Sequence, residues 1–81
     1  MINTIANDLV NELPFTQGHI RVETGIMYDY LIVKFNLCTI ESNFRNIKQF
    51  LESYNYFDEV SYIFSEALNG KGTLTAKIRK E

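Results

Sequence analysis

The spacing of apolar residues changes repeatedly along the chain, and this pattern most constrains its fold. Apolar side chains at intervals of three and four predict an amphipathic helix over residues 2–13. Pro14 ends this helix because proline lacks an amide hydrogen and restricts the preceding residue. The same spacing returns after Thr39, which we expect to cap a second helix, and Asn55 ends it in a left-handed conformation. The apolar positions of the second helix are Ile40, Phe44, Ile47, Leu51 and Tyr54.

Each helix is followed by two segments in which apolar and polar residues alternate, as in strands with one buried face. These segments are 19–24, 27–37, 59–67 and 73–79. In the second segment, the residues expected to face the core are Leu31, Val33, Phe35 and Leu37. The Asn69-Gly70 pair predicts a tight turn between the last two strands. The order α-β-β-α-β-β predicts a two-layer α+β fold, with a four-stranded, mostly antiparallel sheet and two helices on one face.

The length of 81 residues predicts a single compact domain spanning residues 1–81. A domain of this size buries only about 60% of the surface that its unfolded chain exposes, so its stability is marginal. One cysteine excludes an internal disulfide, and the ligand set of a structural zinc site is missing. Self-association is the remaining source of support, and we therefore expect a homo-oligomer.

The sequence gives no sign of export or membrane insertion. The start of the chain lacks a basic segment followed by a long apolar run, and no stretch approaches the roughly 18 apolar residues of a membrane span. With the free Cys38, this predicts a cytoplasmic protein without membrane association. The preference for Asn, Ile, Tyr, Phe and Lys, which AT-rich codons encode, favours an origin in an AT-rich bacterium or its phages.

Residues able to perform chemistry are few and isolated. His19 has no metal ligand or catalytic partner at a suitable spacing. Cys38 precedes the second helix, whose N-terminus lowers thiol pKa values, but a nucleophile there needs His19 as its base. Asp58 and Glu59 are adjacent and point to opposite sides of a strand, and residues 69–72 lack the helix that follows a phosphate loop. We predict that the protein is not an enzyme and that it has no cofactor or metal site. The alternative is an enzyme or an enzyme subunit that uses a reactive Cys38.

Charge is distributed unevenly along the chain. Residues 71–81 carry a net charge of +3, and the rest of the chain carries −5. The cations of this last segment are Lys71, Lys77, Arg79 and Lys80. Together with nearby aromatic rings they can hold nucleic acid, using charge for the phosphates and rings for the bases. The other interpretation is that lysines protect an exposed edge strand from aggregation.

Aromatic residues give the best indication of a binding surface. Tyr28, Tyr30 and Ile32 alternate with the core positions of the second strand and would lie on the open side of the sheet, where Ile63 can join them. Tyrosine is enriched at binding surfaces because it combines apolar area with a hydroxyl group. The alternative is that these residues complete the core. A second candidate patch lies at the end of the second helix, although the core role is favoured for its residues, which are Tyr54, Tyr56 and Phe57.

These observations predict a small non-enzymatic protein-binding module that regulates or blocks a larger partner. It would occupy a partner surface through Tyr28, Tyr30 and Ile32. By analogy of size and composition, phage and mobile-element products that inhibit host defence are proteins of this kind. The alternative is a nucleic-acid-binding domain that uses the basic C-terminal strand.

Overall fold

The structure, a computed structural model, describes residues 1–37 and 39–80. The elements in chain order are helix α1 (Ile2–Glu12), strands β1 (Ile20–Thr24) and β2 (Tyr28–Phe35), helix α2 (Glu41–Glu52), and strands β3 (Glu59–Ser65) and β4 (Lys71–Arg79). The predicted α+β fold is confirmed: both helices pack on one face of a four-stranded antiparallel sheet. In the described part of the chain, no helix has the length and apolar character needed to cross a membrane.

The four strands form one sheet in the order β1-β2-β4-β3. Each half of the chain contributes a hairpin-like pair, and the halves join through β2 and β4, which pair from Tyr28 opposite Arg79 to Phe35 opposite Gly72. The last strand is therefore central. The interpretation of its lysines as guards of an exposed edge is wrong, because β4 has a partner strand on each side.

The core lies between the helices and the covered face of the sheet. Phe44 of α2 is fully buried near its centre, with its ring 5.8 Å from that of Phe35 and 5.5 Å from that of Tyr62. Burying a side chain of this size stabilises a fold by about 1.5–3 kcal/mol relative to leaving it exposed. The other buried apolar residues are Ile5, Leu9, Leu31, Val33, Phe35, Ile47, Leu51, Val60, Leu74 and Ala76.

Two local predictions near the start of α2 are wrong. Leu37 is 60% exposed because β2 ends two residues before it. Thr39 does not cap α2: its side chain is buried, and its hydroxyl oxygen accepts a hydrogen bond from the Asn43 side chain at 3.1 Å. The amide of Thr39 donates to the carbonyl of Gly70 at 3.3 Å. This contact with a turn thirty residues away sets the position of Thr39, and local sequence cannot reveal it.

The residues with positive φ lie at turns. Asn55 follows α2 with φ of 53°, as predicted. Asn69 and Gly70 have φ of 56° and 75° and reverse the chain between β3 and β4, although the loop spans residues 66–70 and is longer than a two-residue hairpin turn. A Cβ atom on Gly70 would clash with the backbone of Thr39, so this position requires glycine.

The aromatic residues after α2 complete the core, as predicted. Tyr54, Tyr56 and Phe57 are half-buried and pack against the core cluster. The Tyr54 hydroxyl donates to the Asp8 carboxylate of α1 at 2.8 Å. Burial, with the hydrogen bond and the charge of Asp8, raises the pKa of Tyr54 to about 12. This bond joins the end of α2 to α1, so the two helices form one connected layer.

Candidate functional site

The outward side chains of the strands form a second sheet surface, opposite the helices, which we call the open face. Strict alternation along each strand sends every second residue there. Its members are Arg21, Glu23, Tyr28, Tyr30, Ile32, Lys34, Glu59, Ser61, Ile63, Ser65, Lys71, Thr73, Thr75, Lys77 and Arg79. The strand register places Tyr30 beside Glu23 and Lys77, and Ile32 beside Arg21 and Thr75. Hydroxyl groups, cations, tyrosines and isoleucines therefore share one surface.

The tyrosines lie where the sequence predicted. Among the described residues, the side chains that pack against the core cluster do not include Tyr28, Tyr30 or Ile32. The rings of Tyr28 and Tyr30 are 6.2 Å apart, and the Lys77 ammonium lies 4.6 Å from the centre of the Tyr28 ring. Lys77 also lies 3.3 Å from Glu59, whose hydrogen bond and charge raise the pKa of Lys77. Lys77 therefore contacts both the ring of Tyr28 and the carboxylate of Glu59.

Two shallow depressions lie at the opposite end of the open face from Tyr28. One, of about 320 Å³, is lined by Arg21, Ile32 and Lys34, together with His19. The other, of about 220 Å³, is lined by Ile63, Ser65, Lys71, Gly72 and Thr73. Ile63 is 81% exposed and joins the open face as predicted. Each depression combines an isoleucine with a lysine, and the register connects them through Thr73, which lies opposite both Lys34 and Ile63.

The predicted basic strand does not form one patch. Lys71, Lys77 and Arg79 lie on the open face, whereas Lys80 lies on the other side, 3.7 Å from Asp29 and bonded to the carbonyl of Gly25 at 3.0 Å. Lys77 is neutralised by Glu59.

Sequence reasoning grouped cations by their position in the chain and missed Arg21 and Lys34, which β1 and β2 bring to the same surface. The signal that could have found them is the alternation itself, because both occupy outward positions of their strands. With them, the open face has five cations and two carboxylates, a net charge of +3.

The described candidates for catalysis, His19, Asp58 and Glu59, have separate surroundings. His19 is exposed, with its ring stacked at 4.0 Å on Phe35 and Nδ1 3.1 Å from the carbonyl oxygen of Lys34. Cys38 lies outside the described residues. Asp58 accepts a hydrogen bond from the Arg79 amide, while Glu59 points to the open face. Within residues 1–37 and 39–80, no three His, Cys, Asp or Glu side chains are grouped as a metal site requires.

Comparison of the chain with models of protein families, with curated proteins and with solved structures found no significant match. The functional interpretation therefore rests on the geometry and chemistry of the open face.

Proposed function

We propose that this chain is a non-enzymatic protein-binding module that acts through its open face, with Tyr28, Tyr30 and Ile32 as anchors. The observation that carries the proposal is that two neighbouring tyrosine rings lie outside the core on a face that the helices leave free, with Lys77 over the ring of Tyr28. Rings fixed before binding lose little entropy on association. Tyrosine is also among the residues that contribute most to protein interfaces.

Such a module works by occupying a surface of a larger cytoplasmic protein. A four-stranded sheet presents a broad face without a deep cleft, which suits steric obstruction or regulation better than turnover of a small molecule. Inhibitors of host defence made by phages and mobile elements act in this way, and the preference for residues that AT-rich codons encode supports such an origin.

Affinity capture from a lysate of the source organism, with nuclease present, tests this proposal. The immobilised full chain is compared with the Tyr28→Ala/Tyr30→Ala double variant, and captured proteins are identified by mass spectrometry. We expect the double variant to lose about 2–4 kcal/mol of binding free energy for the captured partner, measured by calorimetry with the purified components. Circular dichroism checks that both proteins are folded.

Two isoleucines provide a matched control. Ile32→Ala removes a side chain of the open face, whereas Ile40→Ala makes the same change at a residue that is 61% exposed and lies before α2. Ile32→Ala should weaken binding, and Ile40→Ala should not. Full affinity in the folded Tyr28→Ala/Tyr30→Ala variant would exclude the open face as the binding surface.

Self-association remains a prediction. A two-fold dimer through the open face would place two surfaces of +3 against each other, so we expect a homo-oligomer to use a different surface. Sedimentation equilibrium of the wild-type chain and of Lys77→Glu distinguishes these arrangements. In an open-face dimer, Lys77→Glu would reduce the repulsion between the two positive surfaces, so the variant would associate more strongly than the wild-type chain. Association through another surface would be unchanged.

Nucleic-acid binding is the second candidate, and one observation favours it: Lys71, Lys77 and Arg79 share the open face with the tyrosines. Lys80 does not belong to this surface because it pairs with Asp29. Binding of this kind weakens steeply as salt rises, since cations released from phosphates drive it. A salt titration with a single-stranded oligonucleotide separates it from protein binding anchored by tyrosine.

A further inference from the structure

We propose that the partner contacts the open face with an acidic, partly apolar protein surface, and that this surface docks at the two depressions beside Lys34 and Lys71. This inference rests on the proposed function, because it names the kind of partner that the same face binds. We call the part of the open face formed by Arg21, Ile32, Lys34, Ile63, Lys71 and Thr73 the basic end.

The charges left without partners point to an acidic partner. Five cations of the protein form ion pairs within the described residues, at 2.8 to 3.9 Å. The three that form none there are Lys34, Lys71 and Arg79, and all three lie on the open face. The carboxylates without an ion pair among the described residues lie elsewhere, and they are Asp8, Glu12, Asp58 and Glu66. Among the described side chains, the cations without an ion pair therefore all lie on the open face.

The basic end also has apolar contact area. Ile63 is 81% exposed beside Lys71, and Ile32 lines the depression beside Lys34. The carboxylates of the open face, Glu23 and Glu59, lie in the row of Tyr30 and Lys77, where each is paired with a cation. Glu23 pairs with Arg21 of the basic end at 2.8 Å, so Lys34 and Lys71 are the cations of this end that remain without an ion pair among the described residues. A partner segment that alternates acidic and apolar side chains would place its carboxylates near the lysines and its apolar groups on the isoleucines.

Two other occupants fit less well. A second copy facing this surface would oppose like charges, which costs binding free energy. A nucleic-acid strand needs exposed ring faces for its bases, but the ammonium of Lys77 lies over the ring of Tyr28. Lys77 is also paired with Glu59, which reduces the charge available to phosphates. The acidic protein surface is the occupant that uses the unpaired Lys34 and Lys71 and the two isoleucines together.

Nuclear magnetic resonance titration of the ¹⁵N-labelled full chain tests the inference with three probes. The first is a short peptide in which glutamate alternates with leucine and tyrosine. The second is the same peptide with glutamine in place of each glutamate, and the third is a short oligothymidylate. We expect the acidic peptide to shift the amide signals of Lys34, Lys71 and Thr73, with an affinity that falls as salt screens the charges.

Charge-reversal variants give the matched control. Lys34→Glu and Lys71→Glu should each lower the affinity for the acidic peptide about tenfold, because each places a like charge in the contact. Arg45→Glu changes the net charge by the same amount on α2 and should leave the affinity unchanged. An equal loss in Arg45→Glu would contradict the inference, because it would show attraction by overall charge.

The probes separate failure of this inference from failure of the proposed function. If the glutamine peptide binds the open face as tightly as the acidic one, the acidic partner is wrong and the protein-binding face stands. If the oligothymidylate shifts the open-face amides and neither peptide does, both fail. Absence of open-face shifts with the acidic peptide also overturns the inference.

Discussion

The two faces of the sheet are made by the same four strands, yet they differ in burial, polarity and charge. The covered face consists of apolar side chains such as Leu31 and Leu74, which are fully buried beneath the helices. The open face carries tyrosines, hydroxyl groups and a net charge of +3. Because side chains alternate along a strand, neighbouring residues such as Leu31 and Ile32 lie on opposite faces of the sheet. One residue in two stabilises the fold, and its neighbours lie outside the core.

The largest effect on stability should come from the centre of the covered face. Phe44→Ala removes a fully buried ring that contacts Phe35, Tyr62 and Phe64, and we expect a loss of about 3–5 kcal/mol. Urea unfolding followed by circular dichroism measures it. Ile63→Ala on the open face is the control, and its effect should stay within about 0.5 kcal/mol. Similar losses in both variants would mean that the open face is also structural.

Gly72→Ala tests the close approach that the covered face makes to α2. A Cβ atom at this position would lie 2.8 Å from the Phe44 ring and 2.8 Å from the Ile63 carbonyl oxygen. We expect a destabilisation of about 1–3 kcal/mol from overpacking. At Gly18, where φ is 82° and no atom lies within 4 Å of the added Cβ, alanine should cost about 1 kcal/mol from backbone strain alone.

A double-mutant cycle distinguishes these two causes. Phe44→Leu should relieve part of the cost of Gly72→Ala and none of the cost of Gly18→Ala, because only Gly72 approaches the Phe44 ring. Additive effects for Gly72→Ala and Phe44→Leu would contradict the proposed contact.

Tyr54→Phe tests whether the two helices cover the sheet as one layer. Losing the hydrogen bond to Asp8 should cost about 0.5–1.5 kcal/mol near neutral pH. The pKa of Tyr54 rises from 10.0 to about 12 on folding, so the native state favours the protonated hydroxyl. This stabilisation is complete below about pH 10 and disappears as the pH rises through 12. Unfolding free energies of both proteins across this range should converge, and a constant difference would argue against the bond.

The smallest effect should come from an ion pair on the open face. Lys77→Ala removes the contacts with Glu59 and with the ring of Tyr28, and both are partly exposed. We expect the smallest change in unfolding free energy among these variants, and added salt should reduce it further because it screens an exposed ion pair. If Lys77→Ala lowered the unfolding free energy as much as Phe44→Ala, the open face would contribute to stability as the covered face does.

The fold could be predicted from sequence because the spacing of apolar residues in each element is typical of either a helix or a strand. Alternation also assigned Tyr28, Tyr30 and Ile63 to the open face. Strand order could not be predicted, since alternation shows which way a side chain points and not which strand lies beside it. Alternation is sufficient to place Arg21 and Lys34 on the open face, but the residues that lie beside Lys34 on β4 depend on that order. The prediction that Thr39 caps α2 was wrong for a related reason, because its hydrogen-bond partner Gly70 is distant in sequence.

The central position of β4 also has a consequence for synthesis. Of the four strands, the one that joins the two halves of the sheet is the last to leave a ribosome. Until it emerges, β3 has no neighbour and β2 lacks one of its two partners, so the apolar residues of α2 stay accessible to chaperones and proteases. A stalled or shortened product that ends before Lys71 would lack β4, so β3 would not be joined to the pair of β1 and β2.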